Sequence, residues 1–333
     1  MKKGLQITVA WLLLAMVVHA KYVTMGGKRV WAGYADAKAT IRAVDPDGSP
    51  VADANVNARL FNSKYKDMEI DIFGKTDSNG CFVVEGKTIS YLAWTITKPG
   101  FYSTRGRYEI SDVARQLTNE VVDGKWQPWN PTLTTVVKQI RNPIPMYAKK
   151  IRASIPVGIE VGFDFEKGDW VSPRGRGQNA DITLCVKRSL TNNIGEVSYT
   201  ARFTNALDGV RTLDYKGGES DFKSDYRAPN NGHLNSFSYF YQRGPERYSE
   251  KYMPDANGMY FRVRSSTNAF GEVTNAYFGK FYGHVEIGGF HMEEVRVEML
   301  YYLNPTSDDR NLEFDPKKNL FTNLGEFEQV YEP

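Results

Sequence analysis

Along most of this chain, apolar and polar side chains take turns residue by residue. Ala39, Ile41 and Ala43 alternate with Lys38, Thr40 and Arg42, and Ala54, Val56, Ala58 and Leu60 alternate with Asn55, Asn57 and Arg59. A period of two places one set on the core face of a strand and the other set in solvent. The DPDGSP link between these runs, and TDSNG at residues 76–80, are rich in turn formers. Leu92, Trp94 and Ile96 make a further strand that stops at Lys98, Pro99 and Gly100, with Trp94 on its apolar face. Val197, Tyr199, Ala201 and Phe203 repeat the pattern against Ser198, Thr200, Arg202 and Thr204. So do Met259, Phe261 and Val263 against Tyr260, Arg262 and Arg264, and the run Val295, Val297, Met299 and Tyr301. Only residues 110–121 have helical spacing, with Ser111 as a cap.

The pattern predicts an all-β protein of two β-sandwich domains in tandem. The first spans residues 36–141, with 132–140 as its last strand. The second and larger spans 150–322, with long loops at 164–180 and 214–254. Pro143 and Pro145 push the residues before them toward extended geometry, so 142–149 reads as a stiff proline-rich linker. Residues 323–333 read as a C-terminal tail.

The first twenty residues, MKKGLQITVAWLLLAMVVHA, have two lysines, an apolar run and small residues before a cleavage point, which is the plan of a secretory signal peptide. The apolar run is shorter than a membrane helix needs, and no later stretch supplies one. The expectation is therefore an exported protein, periplasmic, cell-surface or extracellular, without a transmembrane segment in its mature chain. Loss of Lys2 and Lys3 takes the formal net charge from +3 to +1. A near-neutral surface argues against a nucleic-acid partner. Removal of 20 residues from 333 leaves 313, which favours two domains over one. The two cysteines, Cys81 and Cys185, are either one long-range bridge or two separate thiols.

The stretches VDPDGSPVADANV, TDSNGCF and TITKPGFYS together resemble the carboxypeptidase regulatory-like domain, over a quarter to a third of the chain. That resemblance implies a seven-stranded transthyretin/immunoglobulin-like sandwich acting as a non-catalytic accessory module, and it brings no catalytic residue. The insertion at residues 62–73 departs from the compact versions of that family. The phrases IPVGIEVGFDFEKGDWVSPRGRG, YFRVRSSTNAFGEVTNAYFGKFYG and YYLNPTSDDRNLEFDP are similar to exported bacterial proteins of no assigned activity.

Candidate chemistry is thin. There is no GxSxG elbow, no Walker ending on SPRGRGQ at residues 172–178, and no cofactor fingerprint. Beyond the leader, His233, His284 and His291 are the only imidazoles, and His284 and His291 flank one turn. The acid-rich stretch LNPTSDDRNLEFDP, residues 303–316, admits three readings. Asp308, Asp309 and Asp315 are candidate calcium ligands, although the EF-hand spacing fails. Asp169, Asp308 and Asp309 are candidate acids for glycoside hydrolysis, which needs two carboxyl groups about 5–10 Å apart. The third reading, a structural connector, fits best: Pro305 stops a strand, Asp308 and Asn311 bond backbone donors, Arg310 pairs with an acid, and Leu312 and Phe314 point inward.

Aromatic residues in proline- or glycine-flanked segments are the remaining signal. Trp126, Trp129, Trp170 and Tyr241, the last within the 236–248 loop, are the candidate binding residues, because such rings stack on sugars and anchor partners. The expected role is a non-catalytic binding or scaffolding component of the bacterial cell envelope, with a glycan or an envelope protein as partner. A carboxylate-dependent polysaccharide hydrolase and a purely structural envelope protein are the alternatives.

Overall fold

The alternation in the sequence becomes strand throughout a computed structural model, which describes residues 22–25, 28–31, 34–61, 70–112, 117–191, 193–215, 220–245, 248–288 and 293–333. Residues 1–20, read above as a signal peptide, most of the stretch read as an insertion, and His291 lie outside the described residues. Among those described, the helical pieces are two single 3-10 turns, Pro316–Lys318 and Glu326–Glu328. The chain divides into two compact units, Met1–Ile140 with Gly218–Asp221, and Arg141–Gly217 with Phe222–Pro333.

In the first unit the central strand is β1 (Ala35–Val44). It pairs antiparallel with β4 (Cys81–Thr88) and parallel with β7 (Thr132–Val136). The facing sheet has the order β3 (Ile70–Lys75), β2 (Asn55–Leu60), β5 (Tyr91–Thr97), β6 (Thr104–Glu109), all antiparallel. Ile41, Val56, Ala58, Leu60, Leu92, Trp94 and Ile96 fill the space between the sheets. The buried Trp94 ring satisfies its N–H on Thr135 Oγ1 at 2.9 Å. Both predicted turns are held by an aspartate whose carboxylate accepts two backbone N–H groups: Asp45 from Asp47 and Ser49, and Asp77 from Asn79 and Cys81. Gly80 has φ +73°, and a Cβ there would lie 2.3 Å from the Ala43 carbonyl, so this turn needs glycine. The helix predicted over 110–121 is absent at its described ends: Ser111–Asp112 pairs antiparallel with Leu117–Thr118. The backbone of Ile110 explains this, since its N–H is given to Ser90 and its carbonyl takes the Asn119 N–H, leaving neither for a helix.

The second unit is also two sheets. Sheet A has the order β8 (Tyr147–Pro156), β19 (Glu294–Leu303), β17 (Tyr277–Tyr282), β16 (Gly258–Val263), β13 (Gly209–Leu213), with β18 (Glu286–Gly288) also on β19. Sheet B has the order β10 (Asp169–Trp170), β9 (Glu160–Asp164), β11 (Ile182–Thr191), β12 (Ile194–Phe203), β14 (Ser236–Arg243), β15 (Tyr248–Met253). Phe163, Leu184, Tyr199 and Phe237 from sheet B meet Phe261, Phe281, Val297 and Tyr301 from sheet A in the main core.

Four expectations change here. Ser236–Arg243 and Tyr248–Met253 are strands, although they fall inside a predicted loop. Residues 142–149 are no free linker: Ile144 exchanges backbone bonds with Glu313 and Asp315, Met146 is fully buried, and β8 begins at Tyr147. The stretch 323–333 is no loose tail, since Val330 is buried and Glu328 pairs with Lys149 at 2.9 Å. Finally, Tyr260 and Arg262 are not on a wet face. Sheet A carries a second core on its outer side, where Tyr260, Phe278, Tyr282 and Tyr302 are covered by Met146, Leu312, Phe314 and Val330. A strand buried on both faces cannot show its environment through alternation alone.

Candidate functional site

Residues directly opposed across antiparallel strands share a face. In sheet B the registers Val186–Tyr199–Tyr239–Tyr252 and Leu184–Ala201–Phe237 place one set of side chains against sheet A. The same face continues along the same strands with Arg188–Val197–Tyr241–Glu250 and then Leu190–Gly195–Arg243–Tyr248. There it opens into a cleft of about 900 Å³ lined by Arg188, Leu190, Val197, Gly195, Tyr241 and Arg243 among others. That size is within the range of small-ligand sites. Arg188 and Arg243 are exposed, Leu190 is 79% exposed and Tyr248 69%. Tyr241 is half-buried, its ring 5.8 Å from that of Tyr248 and nearly perpendicular to it.

Glu250 stands at the edge of this face with three phenols around it. Tyr248 donates at 2.8 Å, Tyr239 at 3.1 Å and Tyr252 at 3.3 Å. Tyr252 is stacked 3.6 Å from His284, whose basicity is lowered by burial. Burial, and then the Glu250 charge, push the Tyr252 hydroxyl up to about 12 and raise that of Tyr239 further. These phenols keep their protons at neutral pH, and the carboxylate they surround is occupied as an acceptor. The cleft therefore brings Tyr241, Arg188, Arg243 and Glu196 together with an apolar rim of Leu190 and Val197.

The other candidates are placed as follows. Trp170 is in the main core, its ring 5.1 Å from Phe163 and edge-on, and Trp126 is in the first unit's core with its N–H on the Thr88 carbonyl. Neither presents a face to a ligand, because each falls on the inward side of a short strand, Asp169–Trp170 or Lys125–Trp126. Trp129 is half-buried with Lys125 Nζ 5.0 Å above its ring. Of the four candidate aromatics, Tyr241 is the one in the cleft.

The candidate acids hold backbone. Asp169 accepts from the N–H of Trp170 and of Arg176, and a Cβ on Gly175 would lie 2.4 Å from its Oδ1, so SPRGRGQ is a turn wrapped on this side chain. Asp308 accepts from Asn275 and Ala276, Asp309 from the Asn311 N–H and the Asn304 amide, and Asp315 from Lys317 with Lys318 Nζ at 3.1 Å. Glu313, buried, accepts from the N–H groups of Arg141 and Asn142 at 2.8 and 2.6 Å. Asn311 accepts from Glu313, and Leu312 and Phe314 are fully buried, as the connector reading expects. Arg310 departs from it, donating to the Ala228 carbonyl. Among the described residues no three His, Cys, Asp or Glu side chains are grouped as around a metal ion. Cys81 and Cys185 are unpaired thiols.

An acid cluster absent from the sequence reading is built on Arg264. Its guanidinium meets Asp164 at 2.8 Å, Asp181 at 2.8 Å, and Glu166. Burial opposes ionisation of Asp164, but the N–H groups of Asn179, Gln178 and Lys167, with Arg264, outweigh it and hold its carboxyl below the usual range. Asp181 is raised by burial despite the same arginine. This network closes the 164–181 loop over the core.

No family model matches the chain, and no curated protein does. Among solved structures, hydroxyquinol 1,2-dioxygenase of Pseudomonas putida DLL-E4 is 13% identical with a TM-score of 0.24, covering 32% of this chain and 57% of its own. The 3-chlorocatechol 1,2-dioxygenase of Rhodococcus opacus 1CP is 13% identical with a TM-score of 0.24, covering 42% and 90%. A mutant shaft pilin spaA of Lactobacillus rhamnosus GG is 14% identical with a TM-score of 0.22, covering 57% and 94%. Likenesses of this degree carry no argument about the fold or the role of this chain. Among the described residues no helix is long and apolar enough to cross a membrane.

Proposed function

We propose that this chain is an exported, non-catalytic binding or scaffolding protein of the bacterial cell envelope that recognises glycans through the open end of sheet B. The observation that carries the reading is the cleft of about 900 Å³ that holds Tyr241 beside Arg188 and Arg243. A ring face flanked by planar donors suits a sugar, which has an apolar face and a polar rim. A hydrolase would need two carboxyl groups flanking the bond to be cut, and Asp169, Asp308 and Asp309 are engaged with backbone instead. In this reading residues 1–20 are the secretory leader. The first unit is then an accessory module of the carboxypeptidase regulatory-like type, supported by its sandwich and its two aspartate-held turns. The test is a glycan array probed with the full mature chain and with Tyr241→Ala. Retention of at least one glycan class, weakened tenfold or more by the substitution at unchanged melting temperature, is expected; an empty array for the unsubstituted chain overturns the reading.

A further inference from the structure

The first unit has an outer face that the cleft reading does not use. In the sheet of β3, β2, β5 and β6, the period of two that sends Val56 and Trp94 inward sends their neighbours outward. There Phe73, Asn57 and Thr95 stand in one row across three strands, and Lys75, Asn55 and Thr97 stand in the next. An amide opposite a hydroxyl thus occurs twice, about 7 Å apart, since two residues rise by about 3.4 Å each. The six side chains line a shallow depression of about 640 Å³, a size within the range of ligand sites. Phe73 is 70% exposed, and its outward position is fixed from below. A Cβ on the next residue, Gly74, would lie 2.3 Å from the Phe82 ring, so a one-residue slip that hid Phe73 would find its place taken. The charges around the depression are already paired: Lys75 with Asp53 at 2.8 Å, Arg59 with Asp71 at 2.8 Å, and Arg105 with Asp221 at 3.4 Å. Among the described residues that line it there is no carboxylate.

We infer that this face binds a neutral polysaccharide, with Phe73 stacking on the apolar side of one sugar ring and the two Asn–Thr pairs holding hydroxyls of the polymer. An Asn amide offers two N–H donors and a carbonyl acceptor, and a Thr hydroxyl both donates and accepts, which matches sugar hydroxyls that do the same. An aromatic ring supplies the flat apolar surface that a sugar's C–H face needs. Strand positions hold these groups in place before a ligand arrives, so little ordering remains to be done on binding. A pair of like contacts repeated along the strands suits a polymer of repeated units better than a single small molecule. Because the lysine beside the ring already has a carboxylate partner, an uncharged chain fits this face better than an acidic one. The site lies in the first unit and stands independently of the sheet B cleft.

The experiment is affinity gel electrophoresis of the full mature chain in gels containing laminarin, hydroxyethyl cellulose, galactomannan or polygalacturonate. Retardation by at least one of the three neutral polymers is expected, and added salt should leave it unchanged because no charge pair is formed. Phe73→Ala should weaken that retardation tenfold or more, and Phe73→Leu nearly as much, since it keeps apolar bulk and removes the ring. Asn55→Ala and Asn57→Ala together should weaken it about tenfold, Phe73→Tyr should preserve it, and all variants should melt with the unsubstituted chain. Tyr241→Ala, which acts on the cleft, should leave at least one neutral polymer bound. If Tyr241→Ala abolishes every retardation and Phe73→Ala none, this site falls and the cleft reading stands. If only polygalacturonate retards the chain, or Phe73→Leu binds as well as the unsubstituted chain, the neutral stacking site falls. If no polymer retards the chain, the site falls as well; a dimer that Phe73→Ala turns into a monomer in sedimentation would then identify the face as a contact between copies.

Discussion

The two ends of sheet B use one rule and reach opposite results. At one end Leu184, Tyr199 and Phe237 face sheet A and are buried; at the other Arg188, Leu190 and Arg243, on the same strands and the same face, reach solvent. Strand geometry decides which side a residue takes, but what lies across the gap decides whether that side is dry. The difference teaches that a cleft can form where strand ends carry the inward face past the core, closed off here by the connections that hold Asn193, Gly244 and Pro245.

The contrast can be broken most severely at the closed end. Arg264→Met leaves Asp164 and Asp181 charged, with backbone donors but without their guanidinium partner, where almost no water reaches them, and should cost about 3–5 kcal/mol of unfolding free energy in urea titrations. Phe237→Ala, which empties a place between the sheets, should cost a comparable amount, about 3–5 kcal/mol. A smaller effect concerns pH. Asp208 is buried and its carboxyl raised by desolvation, despite the hydrogen bond from the Ser265 N–H. The folded state thus holds this proton more tightly than the unfolded one, a stabilisation present below the unfolded pKa and lost as pH rises through the folded value. Asp208→Asn keeps an acceptor without the charge. Relative to this variant, the unsubstituted chain should therefore be at its best near pH 4 and lose ground toward pH 7; equal pH slopes for the two would contradict it. Smallest of all, Leu190→Ala at the open end should change stability by less than about 0.5 kcal/mol, and a loss above 2 would mean that this end is packed after all.

Much of the fold was legible because burial followed alternation. Ile41, Ala58, Leu60 and Tyr199 are buried where the two-residue period places them. The strand at 236–243 was hidden because Phe237, Tyr239 and Phe240 put aromatic rings on both faces, which blurs the period. The second core was hidden for a related reason: its cover comes from residues 312–330, distant in sequence, and their apolar side chains reveal no address. At the site, Tyr241 was legible as an aromatic near a glycine. Arg188, Arg243 and Glu250 were not, since a charged residue at an inward position reads as an ordinary strand end until the reach of the opposite sheet is known. Trp126 and Trp170 misled because neighbouring proline and glycine suggested loops where short strands turn the rings inward.

The grip of Glu313 on Arg141 and Asn142 bears on how the molecule could be dissected. A recombinant fragment begun at the apparent sandwich boundary near residue 150 would discard the Met146 plug and the first rungs of β8. It would also take the Arg141 and Asn142 N–H groups away from a buried carboxylate. Cloning the second unit from Arg141 preserves all three, and the position of a protease-resistant start would report the same boundary independently.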